Sequence, residues 1–106
     1  MPKYLLTATY TASGAQGLLK DGGSKRRVAV EQLISNAGGS LEGMYYAFGD
    51  PDVYLIVDLP DPATASAISL TVNATGAVCI KTTPLISPEE LDQAAKKKIK
   101  YRLPGK

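Results

Sequence analysis

Apolar residues alternate with polar ones in some stretches of the chain and recur every three or four positions in others, so the period itself marks out the elements. Lys3 to Tyr10 is rich in leucine, threonine and tyrosine and stops before Ser13-Gly14, which predicts a strand. A short helical turn over Ala15 to Lys20 is interrupted at Gly22-Gly23, and Ser24 is then placed to cap a longer helix to about Ala37. Val30, Leu33, Ile34 and Ala37 fall at i, i+3, i+4 and i+7, one apolar stripe for a core, and Gly38-Gly39 ends the helix. Leu41 to Phe48 and Val53 to Leu59 read as two strands, joined into a hairpin by the turn residues Gly49-Asp50-Pro51-Asp52.

Asp61-Pro62 sets an N-cap before a proline at the first helical position and opens an alanine-rich helix to about Asn73. Ala63, Ala67, Leu70 and Ala74 form one apolar line on it, and Ala65, Ile68 and Val72 a second. A helix apolar over so much of its circumference in so small a chain anticipates a partner subunit. Ala77 to Ile86 reads as a fourth strand. Ser87-Pro88-Glu89-Glu90 is a capping box for a last helix to about Lys98, with Leu91, Ala95 and Ile99 on its inner side.

The order βαββαβ plus a helix is that of an α+β ferredoxin-like sandwich with a four-stranded antiparallel sheet. It predicts one domain over residues 1–98 and a basic C-terminal tail over 99–106. Right-handed crossovers place both main helices on one face of the sheet and leave the other open. A second copy, face to face, is the economical cover for an apolar patch of that size, so a homodimer or a higher multiple is expected.

Strand alternation decides what the open face carries. If the more apolar sets face the helices, Thr7, Thr9, Glu42, Tyr46, Tyr54 and Lys81 share it: a chamber of hydroxyls, phenols, one lysine and one carboxylate. The competing expectation is that Tyr46 and Tyr54 fill a dimer core and Lys81 pairs with Glu42. Arg26 and Arg27, in Gly22-Gly23-Ser24-Lys25-Arg26-Arg27, could reach an anionic group of a ligand at a helix start. The segment lacks P-loop or dinucleotide spacing, and a plain glycine hinge with a solvated basic turn is the preferred reading.

Composition then removes chemistry. The chain has no histidine and a single cysteine, Cys79, so a histidine triad, a proximal histidine for haem and a thiolate metal cluster are excluded, and no internal disulfide can form. Cys79 lies in the apolar run Ala77-Val78-Cys79-Ile80 and reads as a buried small hydrophobe. Asp50 and Asp52 could offer two oxygens to a metal, but aspartates are routine in turns, and neither a metal nor a cofactor is expected. Proton transfer would fall to Glu42, Asp58, Lys81 or a tyrosine. Six of the twelve basic residues follow residue 95, where no acid remains. That cluster reads as a solvated helix end rather than as a nucleic-acid or membrane contact. No apolar run is long enough for a membrane helix, and Met1-Pro2-Lys3 does not open a signal peptide, so a cytoplasmic location is expected.

Four stretches carry a resemblance: Met1-Pro2-Lys3-Tyr4-Leu5-Leu6-Thr7-Ala8, Gly17-Leu18-Leu19-Lys20-Asp21-Gly22-Gly23-Ser24, Phe48-Gly49-Asp50-Pro51-Asp52-Val53-Tyr54 and Val72-Asn73-Ala74-Thr75-Gly76-Ala77-Val78. Together they resemble the GYD-domain family over nearly the whole chain. The resemblance implies a dimeric α+β barrel, a superfamily that includes cofactor-free monooxygenases, haem enzymes and regulatory ligand-binding domains. Pro51 stands where the family motif leads one to expect tyrosine, while Asp52 keeps its motif position. Two functional expectations follow: first a small-molecule binding or sensing module, its aromatic or anionic ligand held near Thr7, Thr9, Tyr46, Tyr54 and Lys81, and second a cofactor-independent monooxygenase or isomerase. A structural assembly role is the third.

Overall fold

The computed structural model describes all 106 residues. In chain order the elements are β1 (Lys3–Tyr10), α1 (Ala12–Asp21), α2 (Gly23–Asn36), β2 (Ser40–Tyr46), β3 (Val53–Asp58), α3 (Pro62–Ala74), β4 (Val78–Leu85) and α4 (Pro88–Lys96). The four strands form one antiparallel sheet in the order β2-β3-β1-β4, the ferredoxin-like α+β arrangement. No helix is long and apolar enough to cross a membrane.

One face of the sheet carries the core. Tyr4, Leu6 and Ala8 of β1, Val53, Leu55 and Val57 of β3 and Ile80 of β4 alternate inward and meet Ile34 of α2 and Ala65 and Ile68 of α3, with Leu59 sealing the end of β3. Val30, Ala37 and Val72 pack around them, so the stripe on α2 and the second line on α3 are the faces that the core uses. Leu70, from the first line of α3, stays largely exposed. Asp61 caps α3 by accepting the Thr64 amide at 2.8 Å. That bond, then the one from the Thr64 hydroxyl, holds the Asp61 carboxyl below its ordinary pKa.

The segment before α2 is more helical than its glycines suggest. Thr11 caps α1 through its side chain, and α1 runs directly into α2 across Gly22, whose φ of 80° turns the chain where a residue with a Cβ would be strained. Gly22, not Ser24, occupies the N-cap of α2. No residue of α1 is buried. Its N-terminal end is nonetheless pinned to the loop before β4, because the Thr11 amide and hydroxyl both donate to Ala77 O at 3.0 Å. Gly14 permits this approach, since a Cβ there would lie 2.0 Å from the same oxygen.

A β-bulge between Leu41 and Gly43 sets the pairing of β2 with β3. Leu41 pairs with Val57 and Met44 with Leu55, both core positions, whereas Gly43 pairs with Ile56 and Tyr45 with Tyr54 on the open face. The extra residue shifts the alternation by one, which exchanges faces for everything after it. Tyr46 therefore lies opposite Val53 on the helix side, not with Tyr54 as alternation alone predicts, and Tyr45 takes the open position.

The open face is arranged in rows. Tyr45, Tyr54, Thr7 and Lys81 are consecutive partners across all four strands, and Gly43, Ile56, Leu5 and Thr83 form the next row. Beyond it Lys3 bridges Glu42 and Asp58, the latter at 2.9 Å. Glu42 thus pairs with Lys3 rather than Lys81, and these contacts, Glu42 first, raise the Lys3 pKa. Cys79 pairs with Thr9 on the same face and is exposed, so the apolar run around it misled the buried reading. The final helix also departs from expectation. Its capping box forms, but the helix stops at Lys96, and Leu91, Ala95 and Ile99 face solvent rather than the core.

Candidate functional site

The largest cleft, about 440 Å³ and open to solvent, lies on the helix side where the ends of β1 and β2 pass beyond the core. Tyr10 closes β1, Tyr46-Ala47-Phe48 leave β2, and Asp52 stands just before β3. Ala15 and Leu18 of α1 and Gly23 at the start of α2 complete the lining. The volume falls within the range of small-molecule sites, roughly 300–1,000 Å³, and six of the eight lining residues are hydrophobic when Tyr10 and Tyr46 are counted by their rings.

Three polar groups interrupt that wall. The Tyr46 ring lies against Gly23, where a Cβ would come within 3.1 Å of it, and its hydroxyl donates to Gly23 O at 3.2 Å. Burial, then the neighbouring Tyr10, raises the Tyr46 phenol above its usual pKa, with Arg26 opposing them. At neutral pH Tyr46 is thus a neutral hydroxyl that can donate or accept, not a phenolate. Asp52 Oδ2 accepts the Tyr10 amide at 3.0 Å, which ties the end of β1 to the start of β3 and leaves Oδ1 without a partner in the chain. Phe48 is fully exposed at the rim. An apolar slot with a phenol, a second tyrosine and a carboxylate at its edges suits a flat ring that carries a hydrogen-bond donor.

A smaller recess of about 140 Å³ opens on the other face, lined by Thr7, Thr9, Asp50, Pro51, Cys79 and Lys81. Thr9 donates to Asp50 at 2.6 Å, and Lys81 is in no ion pair. The structure thus brings Thr7, Thr9 and Lys81 together with Tyr54 next to Thr7, and separates all four from Tyr46 by the thickness of the sheet. Arg26 and Arg27 lie on the helix side. Arg26 borders a recess with Tyr10 and Asp21, and Arg27 is paired with Glu31 at 2.9 Å.

The sequence of this chain matches the family model described as GYD domain over residues 4–95. The chain belongs to the GYD domain family. No curated protein matches it. Within this GYD domain the turn holding Asp50, Pro51 and Asp52 sits between the two cavities: Asp52 faces the larger one, and Asp50 and Pro51 face the smaller. The sequence does not mark Tyr10, Phe48, Ala15 and Leu18 as site residues, and it presents Asp52 only as a turn residue or a metal oxygen. One signal was available, since Tyr10 ends a strand on the core-facing set, where a large ring with a polar tip projects past the last helix contact.

Proposed function

We propose that this GYD domain is a small-molecule binding module and that its ligand is an aromatic compound of one or two rings bearing a hydroxyl or amine. The ligand lies in the slot between Tyr10, Leu18 and Tyr46 and gives its donor to Asp52. The observation that carries this reading is the 440 Å³ cavity, apolar in its body and polar at its edge. A Tyr46 phenol kept protonated supports orientation of a ligand rather than removal of a proton from it. The open face meets a second copy in this reading, because Leu5, Ile56, Tyr54 and Tyr45 lie on the face away from the core, with Tyr45 and Tyr54 exposed. A cytoplasmic location fits an exposed thiol in a chain held by no disulfide.

A second reading keeps the ligand under the partner subunit, near Thr7, Thr9, Tyr54 and Lys81. The unpaired Lys81 beside two hydroxyls favours it for an anion. Its recess, about 140 Å³, is smaller than a usual ligand site.

Thermal-shift measurements with 4-ethylphenol and 2-naphthol test the first reading. Binding at about 100 times Kd adds roughly 2.7 kcal/mol to stability. The wild type should show a rise in Tm, and Ala15→Phe, which fills the slot from a helix with no buried residue, should show none. Equal shifts in both proteins, or none in the wild type, reject the cavity as the site.

A further inference from the structure

The segment after β4 stands away from the domain. No residue of α4 is buried, and Ile86, Leu91, Ile99, Tyr101 and Leu103 are each more than half exposed. The radius of gyration is 16.9 Å and the long dimension 56 Å, against about 13 Å expected for the radius of a compact chain of this length. A fully formed capping box starts α4, with the Ser87 hydroxyl accepting the Glu90 amide and Glu90 returning the bond to the Ser87 amide, each at 3.1 Å. The helix is therefore built as a helix, with an apolar side of Leu91, Ala94 and Ala95 that the chain itself leaves bare.

We propose that this arm, residues 86–103, docks on a second copy of the chain and that the exchange is reciprocal. The inference rests on the open face being an interface between copies. Two observations select that occupant. The first is area. Full burial of a large apolar side chain removes on the order of 60–120 Å² from water, so the five exposed side chains of the arm supply roughly 300–600 Å². A stable interface needs about 800 Å² per partner. The arm alone falls short, and the open sheet face, whose last row contains Leu85 at the root of the arm, provides the remainder without a break.

The second observation is charge. After residue 86 the chain holds six basic side chains against three acids, and before it six against seven. The basic end of the arm thus meets a body of opposite sign, and the open face carries three carboxylates, Glu42, Asp58 and Asp50, against two lysines, Lys3 and Lys81. An anionic lipid surface is a poorer match. The first turn of α4 carries Glu89 and Glu90, with Asp92 next, and such a surface would repel that half of the helix.

The native chain can report the contact directly. The arm has Lys96, Lys97, Lys98, Lys100 and Lys106, the open face has Lys3 and Lys81, and the helix side has Lys20 and Lys25. Equal amounts of ¹⁴N and ¹⁵N protein are mixed, cross-linked with a lysine-reactive reagent and analysed by mass spectrometry. Arm-to-body pairs joining Lys96–Lys100 to Lys3 or Lys81 should carry mixed isotopes. Arm-to-body pairs of one isotope only would show the arm folding back on its own body, and no such pairs would show it free; either result overturns the proposal. Sedimentation of the full chain with Leu91, Ile99 and Leu103 all changed to serine supplies the second measurement. These side chains are exposed, so the fold is retained, and the dimer dissociation constant should rise at least tenfold. An unchanged constant removes the arm from the interface while leaving the homodimer standing. A wild type that sediments at the 11.2 kDa of one chain overturns both. Sedimentation of the protein with vesicles of anionic phospholipid, accompanied by loss of the mixed-isotope pairs, assigns the arm to lipid and rejects the second copy.

Discussion

Gly14 and Gly17 lie in the same exposed helix, one turn apart, yet alanine should have opposite effects at the two sites. A Cβ at Gly14 would lie 2.0 Å from Ala77 O and 3.0 Å from Tyr10 Cδ1, while at Gly17 nothing lies within 4 Å. Ordinary contact begins near 3.4 Å, so Gly14→Ala must lift the start of α1 from the loop by about 1.4 Å, the difference from 2.0 Å. That movement breaks the two 3.0 Å bonds from Thr11 to Ala77 O. Each bond is worth about 1 kcal/mol net and overpacking costs about 1–3 kcal/mol where the structure cannot relax. Lifting the helix relieves part of that overpacking, so the two terms do not add in full. The gain from alanine over glycine in a helix offsets about 1 kcal/mol of it. Gly14→Ala should therefore destabilise by roughly 1–3 kcal/mol, and Gly17→Ala should stabilise by about 0.5–1 kcal/mol. For a domain of this size 1 kcal/mol moves Tm by about 4–8 °C, so urea and thermal unfolding both resolve the pair. Equal ΔΔG values would refute the pinned seating of α1. Because Tyr10 and Leu18 line the cavity, Gly14→Ala should also weaken binding of 2-naphthol, whereas Gly17→Ala should not.

Further expectations concern the core, the buried polar atoms and the phenol. Leu6→Ala, at a side chain 1% exposed, should cost about 3–5 kcal/mol in urea unfolding, and a cost below about 1 kcal/mol would place Leu6 outside the core. Thr82 Oγ1 is buried without a hydrogen-bond partner, so the isosteric Thr82→Val should stabilise by about 1 kcal/mol, and a loss of stability would mean that the hydroxyl is satisfied. The raised Tyr46 pKa, caused first by burial and then by Tyr10, gives a pH signature. The stabilisation is fully present below the unfolded tyrosine value and is lost as pH rises through the higher folded one. As pH rises above the unfolded tyrosine value, urea midpoints should fall more steeply for the wild type than for Tyr46→Phe; parallel profiles contradict the assignment.

Periodicity and turn chemistry are enough to read the element order, the caps at Asp61 and Ser87 and the helix-facing set Tyr4, Leu6 and Ala8, because each depends on residues close in sequence. The face of Tyr46 depends instead on a bulge beside Gly43, where a single unpaired residue reverses every later position. A glycine inside an otherwise regular strand is the only local trace of it. The extent of α1 was hidden for a related reason. Its glycines argue against a helix locally, but Gly14 is there so that the helix can touch Ala77, a contact 63 positions away in the chain. Amphipathy in α4 was visible, whereas its partner was not, since the stripe of a helix states that it packs but not on what. These two misplacements, of Tyr46 and of α1, are what moved the candidate site from the open face to the helix side.

The proposed ligand slot lies under α1, between Tyr10 and Tyr46. A titration of ¹⁵N,¹³C-labelled protein with 2-naphthol, followed residue by residue in NMR spectra, tests it most directly. Shifts should centre on Ala15, Leu18, Gly23, Tyr46, Ala47 and Phe48 and saturate with one affinity. Shifts confined to Thr7, Thr9, Tyr54 and Lys81, or an unperturbed spectrum at millimolar 2-naphthol, contradict it.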